Sequence, residues 1–140
     1  MIAIIRISGE VKLRKEIIET LNRLRIKRKY SCVVLKPTKE NLGMVKKARD
    51  FIAYGEIKKE VFENLIEKRG KLIDKNKKID VKKISMEIEN GKSYEELNLK
   101  PFFRLHPPRG GIDSKKGFGD KKGVLGDNQE KINDLILRML

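Results

Sequence analysis

Residues 2–7, Ile-Ala-Ile-Ile-Arg-Ile, form an apolar, β-rich run closed by Ser8-Gly9, which reads as a buried strand. The period then changes. Leu13, Ile17, Leu21 and Leu24 recur at steps of four, four and three, predicting an amphipathic helix over residues 12–24. Residues 30–36 are β-branched and predict a second strand, stopped by Pro37. Thr38 can cap a second helix that turns Leu42, Val45 and Ala48 inward, and residues 51–57 predict a third strand. The first 57 residues therefore predict a β-α-β-α-β open-faced sandwich of the α+β class, a relative of the ferredoxin-like fold, with both helices on one face.

From residue 58 to residue 100 the pattern is helical. Val61, Phe62, Leu65 and Ile66 mark a helix ended by Gly70, a residue suited to a left-handed cap. A polar connector over residues 71–78 follows. Asp80 caps a further helix carrying Val81, Ile84 and Ile88 and ended at Gly91, and Ser93 with Glu96 has the capping-box spacing for one short turn. The third segment, 101–140, begins with Phe102 to His106, a candidate edge strand, since the prolines that follow forbid further pairing. Phe102 and Phe103 alternate, so one should face the core and the other the outside. The stretch 101–126 then holds six basic residues, six glycines and three prolines in 26 positions, a composition for a long basic loop rather than a packed element. Asp127 with Glu130 starts a C-terminal helix whose Ile132, Leu135, Ile136 and Met139 must dock on the rest of one overall domain.

Charge narrows the function. The chain carries 34 basic against 20 acidic residues, a net +14, and residues 1–60 alone hold 16 basic and 7 acidic. Such an excess favours a polyanion, most often nucleic acid. Anionic membrane is a weaker partner, because no helix pairs a clean apolar face with an all-basic one, and no apolar run reaches the length of a membrane span. One cysteine, Cys32, excludes an internal disulfide, as expected in a reducing, cytoplasmic compartment, and reads as a small buried hydrophobe. One histidine and one cysteine cannot make an ordinary zinc site, and there is no phosphate-binding Gly-Lys-Ser/Thr loop and no dinucleotide fingerprint. Neither cofactor nor small-molecule substrate is expected, and no enzyme.

The candidate contacts are basic. Arg25, Lys27, Arg28 and Lys29 crowd a helix–strand turn and would repel one another unless a polyanion were near. Arg6 in the first strand is assigned to the same face. Arg104, Arg109, Lys115, Lys116, Lys121 and Lys122 supply the loop, which is expected to be disordered without RNA. His106 is either a hydrogen-bonded structural histidine or a nucleotide contact. It lacks any second acid–base group that would make it catalytic.

Several ordered motifs carry a resemblance. Arg6-Ile7 with Gly9, Leu24-Arg25-Ile26, Gly43-Met44, Ile52-Ala53-Tyr54-Gly55, Lys68-Arg69-Gly70, Pro107-Pro108-Arg109-Gly110-Gly111 and Lys131-Ile132-Asn133 together resemble large-subunit ribosomal protein thirty, the family whose eukaryotic member is numbered seven. The bacterial form resembles only the β-α-β-α-β core, and a long basic N-terminal extension is absent, so the archaeal form is the nearer match. His106-Pro107 departs from the eukaryotic pattern. The resemblance implies a structural constituent of the large (50S) ribosomal subunit that binds 23S rRNA near 5S rRNA, with neighbouring ribosomal proteins as further partners. It adds Arg69 to the RNA-contact candidates. A free-standing RNA-binding regulator or chaperone shares the charge and the loop, and is the alternative.

Overall fold

A strand with apolar residues on both of its faces must be covered on both. The computed structural model describes residues 1–7, 13–73, 80–109, 114–117 and 123–140, and sets β1 (Ile2–Arg6) inside a six-stranded sheet. The order is β4 (Phe103–Arg104), β2 (Ser31–Leu35), β1, β3 (Ile52–Glu56), β6 (Gly123–Asp127) and β5 (Ser114–Gly117). β1 runs antiparallel to both neighbours, with Ile4 opposite Val33 and Tyr54. β6 joins β3 in parallel, Ala53 opposite Gly126.

Alternation along β1 sorts its side chains into two cores. Ile2 and Ile4 pack with Val33 and Ile52 under α1 (Lys15–Arg23) and α2 (Lys39–Lys47), which contribute Leu21 and Val45. Ala3 and Ile5 pack with Cys32, Val34 and Ala53 under α3 (Lys59–Arg69), α4 (Val81–Glu89) and α5 (Ile132–Met139). The open face expected of residues 1–57 is therefore closed by the segments that follow. Val61, Phe62, Leu65 and Ile66 of α3 are all buried, each side chain contributing roughly 1.5–3 kcal/mol.

The local signals hold where they rest on capping chemistry. The Asn41 N–H donates to Thr38 Oγ1 at 3.2 Å, and the Lys83 N–H donates to Asp80 Oδ1 at 3.3 Å. Gly91 takes the left-handed conformation with φ +104°. Gly70 does not; its φ is −65°. Glycine is required there for space instead, because a Cβ would run into the Ile66 carbonyl oxygen. β5 and β6 fall in a stretch that reads as loop, since its glycines hide the short apolar pair Val124-Leu125 from any periodicity. The loop's expected disorder concerns residues 110–122, which lie outside the described residues except for the backbone of β5.

Two buried hydroxyl and thiol groups link stability to pH. Burial pushes the Cys32 thiol from 9.0 up to about 12, partly offset by a hydrogen bond with the Ile4 backbone. Burial also pushes the Tyr94 hydroxyl upward, where it donates to Val34 O at 2.6 Å. Both groups stay protonated in the folded chain at pH values where the unfolded chain ionises. The Cys32 contribution is thus complete below pH 9 and is lost as pH rises from there towards 12, while that of Tyr94 begins to fall only above pH 10. Urea unfolding should show constant stability from neutrality to pH 8.5, then a fall of about 1.4 kcal/mol per pH unit for each ionising group. Cys32→Ala should flatten the curve between pH 9 and 10, and an unaltered slope would remove Cys32 from this account.

Ser85 in α4 is fully buried and its Oγ has no hydrogen-bond partner among the described residues. Ser85→Ala removes that desolvated hydroxyl without changing the helix, so it should raise the urea midpoint by the equivalent of about 1 kcal/mol.

Candidate nucleic-acid interface

The turn between α1 and β2 is built by alternation at close quarters. Leu24 and Ile26 are buried, while Arg25, Lys27, Arg28 and Lys29 are exposed. Arg25 and Tyr30 both adopt φ +65°, an uncommon conformation for residues with a Cβ, and they stand at the two ends of the basic turn between a helix and a strand. The Lys29 ammonium lies 5.1 Å from the Tyr30 ring centroid.

Arg6 anchors this turn from beneath. Its side chain is 1% exposed, and one guanidinium nitrogen donates to Ile26 O at 3.1 Å and to Lys27 O at 2.6 Å. Its own carbonyl accepts from the Tyr30 N–H at 2.7 Å. The expectation that Arg6 belongs to the exposed basic face is corrected. An even-numbered position in β1 shares a face with Ile2 and Ile4, and so points into the protein.

β4 brings a second basic residue to the turn. Arg104 lies opposite Ser31 in the β2–β4 pairing, which puts it beside residues 25–29. The result is a groove of about 600 Å³ lined by Asn22, Arg25, Lys27, Arg28 and Ser31 on one side and Pro101, Phe102 and Arg104 on the other. The Arg104 guanidinium sits 5.4 Å from the centroid of the half-buried Phe102 ring. Phe103, its neighbour, turns to the opposite face, where Tyr94 meets it edge-on with centroids 6.2 Å apart. Arg25 also pairs with Glu95 at 3.3 Å, with both side chains more than half exposed, so the pair contributes at most about 1 kcal/mol. Three guanidinium groups and an ammonium around an aromatic floor can chelate phosphate oxygens and offer a ring face to a base.

Other candidates are not gathered here. His106 is half-buried with Nδ1 2.8 Å from Pro107 O and Nε2 2.6 Å from Leu140 O, so its ring ties the strand exit to the end of α5. These contacts support the structural reading of His106. Arg109 is exposed next to the same helix end, where its carbonyl accepts from Arg138 Nε. Arg69 is half-buried in the last turn of α3, on the opposite side of the sheet. Lys115 and Lys116 belong to β5, at the sheet edge farthest from Arg104. Lys121 and Lys122 lie outside the described residues. The groove-lining residues that sequence reasoning did not single out as contacts are Asn22, Ser31, Pro101 and Phe102. Among the described residues no trio of His, Cys, Asp and Glu is arranged to hold a metal ion, and no helix is long and apolar enough to cross a membrane.

Residues 2–52, which span β1 to the start of β3 and include the basic turn, match the family model described as Ribosomal protein L30p/L7e. The chain is 39% identical to large ribosomal subunit protein uL30 of Nanoarchaeum equitans, over 99% of this chain and 97% of that one. The uL30 proteins of Methanococcus maripaludis and Archaeoglobus fulgidus are 36% and 37% identical, over 99% of this chain and 98% and 99% of theirs. The chain belongs to the uL30 family. The uL30 matches extend past the β-α-β-α-β core through α3, α4 and α5, so the helices that close the second face of the sheet belong to the shared stretch. These relatives are archaeal, in keeping with the form anticipated from residues 58–140.

Proposed function

We propose that this chain is a structural constituent of the large (50S) ribosomal subunit, acting in the cytoplasm within the ribosome, and that it binds 23S rRNA through the groove between residues 25–28 and Arg104. The observation that carries the reading is the convergence of two basic segments, distant in sequence, around one aromatic residue. Four cations with no acid among the groove-lining residues make a surface that a phosphate backbone neutralises. We assign Arg109, Arg69 and the lysines at 115, 116, 121 and 122 as secondary RNA contacts apart from this groove, with 5S rRNA and neighbouring large-subunit proteins as further partners. The contribution is binding and positioning, with no reaction.

Replacing Arg25, Lys27, Arg28 and Arg104 together by glutamine tests it. Arg6 is left in place, so the turn keeps its anchor. With a 23S rRNA fragment as ligand, affinity at moderate salt should fall roughly 100-fold, and the slope of log affinity against log salt should shrink by about 3. An unchanged slope would mean that the groove makes no phosphate contacts. Sedimentation of native lysate should put the chain with large subunits through a moderate salt wash. Recovery in the light fractions alone would move the free-standing regulator into first place.

A further inference from the structure

The chain has a second groove, of the opposite electrostatic character. It measures about 730 Å³ and has Ile2, Leu42 and Tyr54 among its lining residues. Three carboxylates also line it, those of Glu56, Asp127 and Glu130, against one cation, Lys131. All three carboxylate residues are exposed. Ile2 pairs with Leu35 and Glu56 in the sheet, whereas Arg6 and the basic turn lie at the other end of β1. The two grooves therefore open at opposite ends of the strands. Both draw lining residues from the sheet face covered by α1 and α2, since Ile2, Tyr54 and Phe102 pack there together.

This acidic rim stands out on a chain of net charge +14. Phosphates pressed against it would be repelled, so a nucleic acid is not its occupant. The apolar lining calls for aliphatic surface, and the rim calls for positive charge. A lysine or arginine side chain supplies both, laying its methylene stem on Leu42 and Tyr54 while its head group pairs with a carboxylate. Tyr54 adds a ring face for a cation. Its hydroxyl is pushed upward by burial and by Asp127 and downward by Arg49, so the ring stays neutral at physiological pH. The rim is also held in place before any partner arrives. The Asn128 N–H donates to Tyr54 O at 2.7 Å, and the Gln129 N–H donates to Asp127 Oδ1 at 2.9 Å.

We infer that this groove is a docking surface for an extended, lysine- and arginine-bearing segment of a partner protein. It works independently of the basic groove. Docking at one end of the strands leaves the other free to face nucleic acid.

The test uses the full chain and a short unstructured peptide of alternating lysine and alanine as probe, read by amide chemical-shift titration. Saturable shifts at Tyr54, Glu56 and residues 127–131 are expected, weakening with salt. Glu56→Gln with Glu130→Gln should weaken binding about fivefold, the loss expected for two exposed ion pairs. Asp127 is left intact because it orders the rim, and the glutamines preserve size, so the fold is kept. A variant carrying only Lys131→Gln should bind the peptide at least as well as the parent chain. Shifts spread over the whole surface, equal affinity in the double variant, or the same residues responding to an RNA duplex or to magnesium ions instead would each overturn the assignment.

Discussion

Arg6→Ala is expected to remove roughly 2–4 kcal/mol of folding stability and to weaken RNA binding as well, although the side chain is 1% exposed. One guanidinium nitrogen satisfies the carbonyls of both Ile26 and Lys27. Alanine leaves those acceptors without this donor and opens a void beneath the turn, so a desolvation cost and a packing cost add. The turn also holds Arg25 and Tyr30 at positive φ, which the surrounding structure must enforce. With the anchor gone, Arg25, Lys27 and Arg28 lose their common orientation, and affinity for the 23S rRNA fragment should fall about tenfold under conditions where the variant is still folded. Arg6→Lys keeps the charge but not the planar fork, and should recover only part of the stability. Urea unfolding and an RNA titration on the same preparations would separate the two effects. Wild-type affinity in a destabilised Arg6→Ala would show that the turn needs no anchor for binding.

Gly55→Ala is the second large effect, expected to cost about 3 kcal/mol. A Cβ at this position in β3 would run into the Gln129 carbonyl oxygen and lie 3.0 Å from the Ile132 Cβ. Backbone stands on the other side, so the clash cannot be relieved by turning a flexible side chain. The short 3-10 turn Gln129–Lys131 and the start of α5 would have to move away from the sheet. That movement strains the stitching at the end of β3, where the Lys58 N–H donates to Asn133 Oδ1 at 2.8 Å and Asn133 Nδ2 donates to Glu56 O at 3.0 Å. Amide hydrogen exchange should therefore quicken over residues 129–139 before it does in α1. Gly43→Ala is the matched control. Gly43 is exposed in α2 with nothing near its Cβ position, so the change should stabilise by up to about 1 kcal/mol. Equal midpoints for the two variants would refute the close-approach explanation.

Both residues show why legibility differs between elements and site. Gly55 reads as part of a strand from its neighbours, and nothing local announces that α5 passes over it. Arg6 reads as charge, hence as surface, because a hydropathy pattern does not distinguish a solvated arginine from one that caps buried carbonyls. His106 had two readings, and the contact that supports the structural one comes from Leu140 at the end of α5. The basic turn was legible because four charges in five positions cannot all be buried. Its partnership with Arg104 was not.

What the amino-acid order determined by itself is whatever depends on neighbours within a turn or two. The apolar run of β1, the stripe of α1, the caps at Thr38 and Asp80, the buried face of α3 and the excess of positive charge all belong to that class. The tertiary structure decided the contacts between distant segments. It added β6 to β3 in parallel, closed the second face of the sheet, buried Arg6, and joined residues 25–28 to Arg104 in one groove while gathering Glu56 with Asp127 and Glu130 in another. The physical reason is that local conformation follows from sterics and periodicity along the chain. Strand register and helix docking instead depend on burial shared among segments that meet only after folding, as Lys58 meets Asn133 from 75 positions away.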